Sequence, residues 1–507
     1  LLALACLNVA GLFLARGAAR GREIVTRLAL GASRGRIGRQ LIADSVLLAV
    51  AGGALGVAAA PLAVRALIAF LPGDVAPNAL QSTVDSRMLV FALLASVAAG
   101  LASGVVPAIR AGRGVLSVLS QRGAGFSGGV RLRKAIVTLQ IAFSLILVIA
   151  AALFVRTLTG LLARGPGFET TRLISFTLDP VRNGYNPKET SRLIRRVYEE
   201  LQAPGIAESA GVARFALLTG GSWNDPFTIQ SNERTTTDHD INVNAISPGF
   251  LAALGVRVVA GRDFDAHDSR PPGQSGRRSA LVNEAFVQHY LRGRNPLGVR
   301  IGEGSGPDAV ADVEVVGVVT NFSYRGMREK AEMVLFPMFE GDDGGGTFYL
   351  RVRQTPEAAY SSIRAAVRKA DPALPILSFR TVDEQVARSL TNERLLAALS
   401  TAFGGLALLL SLVGLYGVMS FVASQRTPEI GIRLALGATR SDALWLVLRD
   451  ALLMIGAGAV IALPVVEALG RLVESLLFGV TPADPATIAM ATLAMVAAAV
   501  CASYIPA

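Results

Sequence analysis

Cysteine is scarce in this chain, and its scarcity excludes whole classes of protein. The 507 residues include two cysteines, Cys6 and Cys501, and both lie in apolar segments. They exclude a disulfide framework and a cysteine-based metal site in the polar part of the chain. Both side chains are interpreted as small, buried apolar groups.

Lysine is nearly as scarce, with four residues: Lys134, Lys188, Lys330 and Lys369. A Walker A loop needs lysine directly after glycine, because the lysine reaches the phosphates from a glycine-rich turn. None of the four follows glycine. The glycine-rich stretch 341–346 has no lysine and is predicted to be an exposed turn. The sequence therefore predicts no ATP-hydrolysing site of this type.

The three histidines give no recognised catalytic or metal-binding pattern. Asp238-His239-Asp240 and His267-Asp268 could ligate a metal in principle, but their spacing matches no known site, so they are interpreted as solvated loops. The Gly-x-Ser-x-Gly match at 125–129 lies in a basic loop, away from every histidine, and is interpreted as a chance match. We therefore assign no catalytic, cofactor-binding or metal-ligating residue.

Apolar residues, in contrast, are abundant: hydrophobic residues make up 52% of the chain, and its mean hydropathy is +0.48. Such a composition fits a membrane protein that carries a soluble part. Seven apolar segments are visible, at 1–15, 44–71, 88–109, 135–158, 394–422, 446–478 and 486–507. The first is short of a full span, and the last stops where its counterpart at 104–108 continues into a basic loop. We therefore expect the chain to be a fragment clipped at both ends.

The distribution of charge predicts the orientation of these segments. The net charge is +11, and 45 of the 49 basic residues are arginine. Arginine concentrates in the loops 16–40, 110–134 and 423–445, which the positive-inside rule assigns to the cytoplasm. Counting the crossings then places residues 160–390 outside the cytoplasm. No nucleic-acid-binding motif accompanies the charge, so we expect no nucleic-acid partner.

Residues 160–390 alternate strand-like and helix-like patterns, which predicts an α+β domain. The pattern favours strands at 173–178, 313–319 and 348–352. It favours helices at 189–201 and 358–367. The polar or Gly/Pro-rich stretches 232–240 and 268–278 are predicted to be loops.

One segment occurs twice. Residues 22–34 return at 428–440, with nine of thirteen positions identical at an offset of 406. Each copy follows one apolar segment and precedes another, so the repeat is a membrane unit. As a cytoplasmic amphipathic element it could lie on membrane lipid or dock on a soluble partner. The retained Glu23 and Glu429 favour docking, because anchoring to lipid does not require an acid.

Three smaller features of the apolar segments concern helix packing, position in the membrane and ion conduction. The pairs Gly52-x-x-x-Gly56 and Gly100-x-x-x-Gly104 permit close contact between helices. Asp44 and Asp450 occupy similar positions in the two halves and are predicted to lie at the cytoplasmic mouth. The segments contain few charged residues, which disfavours an ion-conducting path.

The duplicated segment resembles the most specific stretch of ABC-transporter permeases of the MacB/FtsX type. The pattern Glu-Ile-x-x-Arg-x-Ala-x-Gly-Ala, followed by Ser/Thr-Arg, stands at Glu23–Arg34 and again at Glu429–Arg440. Stretches 246–251, 261–264, 282–286 and 295–298 resemble the MacB-like periplasmic core domain. Two permease units in one chain are similar to the duplicated "orphan" permeases of Acidobacteria.

The resemblance implies an α-helical membrane protein of the bacterial inner membrane with one α+β periplasmic core domain. It implies a first permease unit at 1–115, a basic cytoplasmic linker at 116–134, a transmembrane helix at 135–158, the core domain at 160–390 and a second permease unit at 394–507.

The resemblance also implies a permease subunit of an ABC-type export, efflux or mechanotransmission system. A separate cytoplasmic ATPase, MacB/LolD-like, would drive the helices that move the periplasmic domain. Further partners would be a periplasmic adaptor or envelope protein and membrane lipid. The residues implied to contact the ATPase are Glu23, Arg27, Gly31, Ala32, Arg34, Glu429, Arg433, Gly437, Ala438 and Arg440. Two alternatives stay open: a non-transport transducer that regulates a cell-envelope partner, and an orphan scaffold or receptor without an ATPase.

Overall fold

The computed structural model describes residues 1–19, 27, 33–68, 85–113, 127–221, 223–230, 234–269, 278–306, 309–329, 331–339, 345–436 and 439–504. They form two compact units: Leu1–Gly160 together with Asn392–Ala507, and Leu161–Thr391. The first unit is helical, and the second combines a sheet with helices. The helices, in chain order, are α1 (Leu2–Ala19), α2 (Arg34–Ile68), α3 (Ser86–Arg113), α4 (Ser127–Arg164), α5 (Pro187–Leu201), α6 (Phe250–Leu254), α7 (Glu284–Tyr290), α8 (Pro356–Ala370), α9 (Val382–Ser389), α10 (Thr391–Ala435), α11 (Arg440–Val473) and α12 (Pro485–Tyr504).

The helical unit is built from α1–α4 and α10–α12, each of which overlaps one of the seven predicted apolar segments. Residues 69–71 and 505–507 of those segments lie outside the described residues. In the described part of the chain, six of these helices are long and apolar enough to cross a membrane, and the apolar part of α1, Leu2–Gly11, is shorter. Their apolar residues surround the helix rather than lining one face, as membrane-spanning helices require.

Several of these helices extend well beyond their predicted apolar segments, α4 and α10 among them. α4 begins at Ser127, so the last part of the predicted 116–134 linker is helical rather than loop-like. α10 continues to Ala435, past the apolar stretch that ends near Phe421. Hydropathy identifies only the part of a helix that is apolar enough to lie in lipid. The helix itself continues into more polar sequence, because its backbone hydrogen bonds do not depend on apolar side chains.

Helix α4 is the most deeply packed of the spanning helices. Half of its apolar window is buried within the described structure, whereas that of α2 is not buried at all. Leu145 and Ile149 of α4 are fully buried in a core shared with α10, α11 and α12. Side chains on the opposite faces, such as Leu453 of α11 and Leu493 of α12, stay exposed, as expected for lipid-facing positions.

Small residues bring α2 and α3 into close contact. A Cβ at Gly100 would lie 2.7 Å from the Cα of Val46, and one at Gly104 would lie 2.2 Å from the Oγ of Ser45. The predicted role of the Gly100/Gly104 pair is therefore confirmed. Gly52 and Gly56 have no described atom within 4 Å of such a Cβ, so the corresponding prediction for that pair is wrong.

The two cysteines differ from the prediction that both are buried. Cys6 on α1 is half-buried, and Cys501 on α12 is exposed. The prediction of burial fails because a membrane helix can present an apolar side chain to lipid instead of to protein.

The second unit contains one mixed sheet. Its strands are β1 (Leu173–Leu178), β2 (Ser209–Ala213), β3 (Trp223–Asp225), β4 (Phe227–Gln230), β5 (Arg234–Thr236), β6 (Ile241–Ile246), β7 (Val258–Gly261), β8 (Arg278–Asn283), β9 (Arg300–Glu303), β10 (Val313–Val319), β11 (Met333–Pro337), β12 (Gly346–Arg351) and β13 (Leu377–Thr381). The main order is β13-β1-β12-β2-β6-β11-β8-β10-β9-β4-β5, with β3 beside β6 and β7 beside β10. β8 and β10 pair in parallel, as do β6 and β11.

Two apolar cores hold this sheet to its helices. In the first, α5 and α8 cover β1, β2 and β12, and the rings of Phe176 and Phe348 stack at 5.0 Å. In the second, α7 packs its buried Phe286 against β4, β6, β8, β9, β10 and β11. A capping box between Asn186 and Glu189 defines the start of α5. The α+β prediction for this region is confirmed.

Three predictions for loops and turns need correction. The stretch 232–240 contains the short strand β5, which pairs with β4 because Thr235 and Thr236 suit an edge strand. In the glycine-rich stretch 341–346, residues 341–344 lie outside the described residues, whereas Gly346 begins β12. The predicted loop 268–278 lies partly outside the described residues, and Arg278 begins β8.

Candidate functional site

The first copy of the duplicated segment is described at few positions. Arg27 is exposed, and its Nη1 donates a hydrogen bond of 3.4 Å to the Oε1 of Gln40 on α2. Arg34 is the first residue of α2, and only its backbone is described. Glu23, Gly31 and Ala32 lie outside the described residues.

The second copy is mostly helical. Glu429 and Arg433 lie in the last turns of α10, where only the backbone is described, and Arg440 is the first residue of α11. Gly437 and Ala438 lie outside the described residues. Arg34 and Arg440 therefore begin a membrane helix at the same position of the repeat, so the two copies agree in local structure as well as in sequence.

Apolar side chains in and next to the second copy are exposed. Leu436 is 83% exposed and follows Ile432 by one turn, and Ile432 and Trp445 are exposed as well. Leu436 N donates to Ile432 O at 3.0 Å, which keeps the two residues on one side of the helix end. The end of α10 and the start of α11 thus place Arg433 and Arg440 in the same part of the chain as exposed apolar side chains.

Ion pairs mark the two ends of the α4 span. Near one end, Lys134 Nζ lies 2.9 Å from a carboxylate oxygen of Asp450 on α11. Near the other, the guanidinium of Arg156 pairs with Asp484, which lies just before α12. The two basic residues are 22 positions apart, or about 33 Å at the rise of an α-helix, close to the thickness of the hydrocarbon core. The charges of α4 are therefore placed at the two membrane surfaces.

Asp484 is held as an anion by several donors. Hydrogen bonds from the side chain and backbone of Thr487, together with the charge of Arg156, hold the pKa of this carboxyl below its ordinary value. The Thr487 hydroxyl also accepts from Arg156 Nη1 at 2.9 Å. At the other end, Asp450, which is predicted to be interfacial, is paired with Lys134 and lies near the start of the span Leu448–Leu476. Asp44 is half-buried near the start of the α2 span.

Between these ends, uncharged polar side chains form a continuous seam. We name Asn8 of α1, Gln140 and Ser144 of α4 and Ser411 of α10 the polar seam; all four are buried. Asn8 Nδ2 donates to the carbonyl of Leu410 at 2.9 Å, and Gln140 Nε2 donates to the same carbonyl at 2.7 Å.

The other two side chains of the polar seam, Ser144 and Ser411, lie about one helical turn from the contacts at Leu410. Ser144 Oγ donates to the carbonyl of Ala407 at 3.0 Å, and Ser411 Oγ donates to Ser144 Oγ at 2.6 Å. The seam depends on Gly414, because a Cβ there would lie 2.5 Å from Gln140 Oε1 and 2.8 Å from Asn8 Oδ1.

The polar seam can fix the register of three helices, because an amide or hydroxyl in hydrocarbon is costly unless it is hydrogen-bonded. None of its side chains titrates, so it provides no proton or ion relay. Sequence reasoning missed it by searching the apolar segments for charged residues alone. Uncharged polar residues at helical spacing on α4, Gln140 with Ser144, were the available signal.

Two family models match the chain in the same arrangement. The FtsX-like permease C-terminal family matches residues 1–116 and 401–507. The MacB-like periplasmic core domain matches residues 135–370. The chain carries an FtsX-like permease domain divided around a MacB-like periplasmic core domain. With its apolar helices, this makes it a multi-pass inner-membrane protein with an extracytoplasmic domain.

Curated relatives of this FtsX/MacB-like chain are ABC-type permeases. It is 27% identical over 213 residues to the "Uncharacterized ABC transporter permease YknZ" of Bacillus subtilis (strain 168), across 40% of this chain and 51% of that protein. It is 24% identical over 253 residues to the "Macrolide export ATP-binding/permease protein MacB" of Bradyrhizobium diazoefficiens, across 48% and 37%. It is 23% identical over 286 residues to the MacB protein of Acinetobacter baylyi, across 54% and 40%. The chain thus spans about half or less of each of these relatives.

Two solved structures are similar to part of the chain. The periplasmic region of MacB from Actinobacillus actinomycetemcomitans is 14% identical with a TM-score of 0.30, across 43% of this chain and 93% of that one. The extracellular domain of the noncanonic ABC-type transporter YknZ from Gram-positive bacteria is 15% identical with a TM-score of 0.27, across 41% and 100%.

Within the core domain, Asp238 and His239, which the sequence analysis assigned to a solvated loop, lie close to His289 of α7. One ligand atom from each of Asp238, His239 and His289 lies within 4.8 Å of the others, and Glu332 contacts both histidines. The second candidate pair does not form such a group. Asp268 is buried in a two-pronged pair with Arg262, at 2.6 and 3.0 Å, whereas His267 points into solvent.

Proposed function

We propose that this chain is the membrane permease subunit of an ABC-type export or mechanotransmission system. A separate cytoplasmic ATPase supplies the energy, and the membrane helices pass its motion to the periplasmic core domain. The observation that carries the proposal is the duplicated segment, whose two copies each end on an arginine that begins a membrane helix, Arg34 and Arg440. Both copies fall within the regions matched by the permease family.

The ATPase is proposed to act in trans, because none of the chain's four lysines follows glycine. MacB relatives are named ATP-binding/permease proteins, so the two activities occur together in those proteins. The proposed contact residues are those of the duplicated segment: Glu23, Arg27, Gly31, Ala32, Arg34, Glu429, Arg433, Gly437, Ala438 and Arg440. The exposed Leu436 and Ile432 supply the apolar surface that a docked partner would bury.

Transmission is proposed to use α4 and α10. α4 precedes the core domain in the chain and α10 follows it, so both are covalent links between membrane and domain. Neither the stretch from 135 to 155 nor that from 395 to 421 contains a charged residue. Buried charge normally accompanies an aqueous ion path, so moving helices fit this sequence better than an ion conduit.

The same uncharged helices favour a second candidate, a transducer that moves no substrate. In this version, motion of the core domain regulates a cell-envelope partner such as an adaptor or a cell-wall enzyme. An orphan scaffold without an ATPase is the remaining alternative.

The domain limits and the pairing of the units belong to the proposal as well. We place permease units at 1–115 and 394–507, with the linker at 116–134 and the core domain at 160–390. One chain then supplies both halves that other permeases assemble from two subunits, as in the duplicated orphan permeases it resembles.

The test is purification of the natural full-length protein from its own membrane in mild detergent, with mass spectrometry of what co-purifies. We expect an ABC-type ATPase in stoichiometric amount. We expect Glu23→Lys and Glu429→Lys to lose it while the protein stays folded in the membrane. Glu357→Lys, an exposed charge reversal on α8 of the core domain, is the matched control. Reproducible absence of an ATPase would favour the orphan scaffold, and retention by both variants would refute the contact residues.

A further inference from the structure

The core domain gathers two imidazoles and two carboxylates from three separate chain segments. Asp238 and His239 lie between β5 and β6, His289 lies on α7, and Glu332 directly precedes β11. Their approach follows from the sheet, because β6 and β11 pair in parallel from Asn242 and Met333 onward, which brings the residues before them to one edge.

In each imidazole, one ring nitrogen contacts Glu332 and the other faces Asp238. The Glu332 carboxylate is 3.2 Å from His239 Nε2 and 3.0 Å from His289 Nδ1. The other nitrogen of each ring faces Asp238: His239 Nδ1 is 2.7 Å from its Oδ1, and His289 Nε2 is 3.7 Å from its Oδ2. Both rings therefore direct one nitrogen toward Asp238, while the carboxylate of Glu332 contacts the other nitrogen of each ring.

This arrangement matches the outer shell of metal sites. A metal-ligating histidine usually donates its remaining N–H to a carboxylate, which fixes both the tautomer and the ring orientation. Here a single carboxylate, largely shielded from solvent, can serve both rings. Tyr290 adds a further support, since its hydroxyl donates to Asp238 Oδ1 at 2.5 Å and its ring stacks on His289 at 4.3 Å.

The donor atoms of this group suit a divalent cation. Two neutral imidazoles and one carboxylate, with a position open to water, form a ligand set typical of zinc.

We propose that Asp238, His239 and His289 bind one divalent transition-metal ion of the zinc class, with Glu332 as the positioning residue. Tetrahedral ligands about 2.0–2.2 Å from zinc lie about 3.4 Å apart. The His239–Asp238 distance therefore opens slightly and the His289–Asp238 distance closes slightly, which the exposed Asp238 side chain permits. The ion would fasten the segment before β6 to α7.

The test uses the full chain in detergent, without a polyhistidine tag and after treatment with a chelator. Co²⁺ is the probe, because its visible absorption reports nitrogen and oxygen ligation directly, and Zn²⁺ is then added to displace it. We expect one Co²⁺ per chain and a rise in the thermal unfolding temperature on metal addition. His239→Ala and His289→Ala should abolish the absorption band. Glu332→Gln should retain the band with affinity weakened about 10- to 100-fold.

His267→Ala is the matched control, because His267 is 97% exposed and its described contacts are with Asp265 alone. It should bind Co²⁺ as the wild type does. Unfolding in the presence of chelator checks that each variant is folded. Absence of a saturable band in the wild type would overturn the proposal. So would a band that survives both His239→Ala and His289→Ala, since the ion would then be held elsewhere.

Discussion

The side-chain amide of Gln140 on α4 donates a hydrogen bond of 3.1 Å to the Oδ1 of Asn8 on α1. Both also donate to the carbonyl of Leu410 on α10, so two side chains and one backbone oxygen join three helices. α1 therefore has a polar anchor as well as apolar packing.

Asn8 and Gln140 should be energetically coupled. We expect a double-mutant cycle of Asn8→Leu and Gln140→Leu to give a coupling free energy of about 0.6–1.7 kcal/mol, as for other hydrogen bonds within membranes. Reversible unfolding in lipid bicelles measures it. Thr492 bonds within its own helix, to the carbonyl of Ile488, so Thr492→Ala with Gln140→Leu should be additive. A cycle indistinguishable from additivity for the first pair would contradict the anchor.

Among the glycines of α10 whose surroundings are described, Gly414 should be the most sensitive to substitution. A methyl group there would displace the amides of both Gln140 and Asn8, so Gly414→Ala should lower the free energy of unfolding by about 1–3 kcal/mol. Gly417→Ala is the control one turn further along, because its Cβ would meet no described atom within 4 Å. That variant should be neutral or slightly stabilised through helix propensity. Equal effects of the two substitutions would show that packing at Gly414 is unimportant.

The membrane architecture could be predicted from the sequence, whereas the polar contacts could not. Segments such as 135–158 are identified by hydropathy because water is absent from the bilayer core, and this rule acts on each segment alone. The contact of Gln140 with Leu410 depends on how two helices are rotated against each other. The sequence of either segment alone does not determine that relative rotation.

The same limit applies in the core domain. Strands β1 and β10 were predicted at their observed bounds, because alternation of apolar residues is local. His239 and Glu332, in contrast, are 93 positions apart and meet through the pairing of β6 with β11. A search for ligands at short sequence spacing cannot find such a group.

Protonation of His239 should stabilise the metal-free protein. Burial opposes its charge, but hydrogen bonds to Glu332 and Asp238 raise its pKa above the ordinary value; His289 and Tyr290 are its other close neighbours. Because the folded-state pKa is the higher one, the stabilisation is complete below the unfolded value of about 6.5. It is lost as the pH rises through the folded-state pKa.

The measurement is the unfolding temperature of the full chain in chelator, followed below and above a pH of about 6.5. The difference between wild type and His239→Gln should be largest on the acid side and should shrink as the pH rises. His267→Gln should follow the wild-type profile at every pH, because the ring of His267 is exposed. A difference that grows with pH would mean that the His239 site favours the neutral ring.

Leu436 should contribute to the proposed ATPase contact without contributing to folding. It is 83% exposed at the cytoplasmic end of α10, so Leu436→Ser removes little packing. A docked partner that buried it would lose about 1.5–3 kcal/mol of apolar contact, or roughly 10- to 100-fold in affinity. Leu472→Ser is the control, because Leu472 is 77% exposed but lies at the far end of α11, toward the extracytoplasmic side. Quantitative co-purification should show loss of the ATPase for Leu436→Ser alone. Equal loss in both variants would indicate that lipid, rather than a docked protein, covers these leucines, and the amphipathic segment would then be an interfacial anchor.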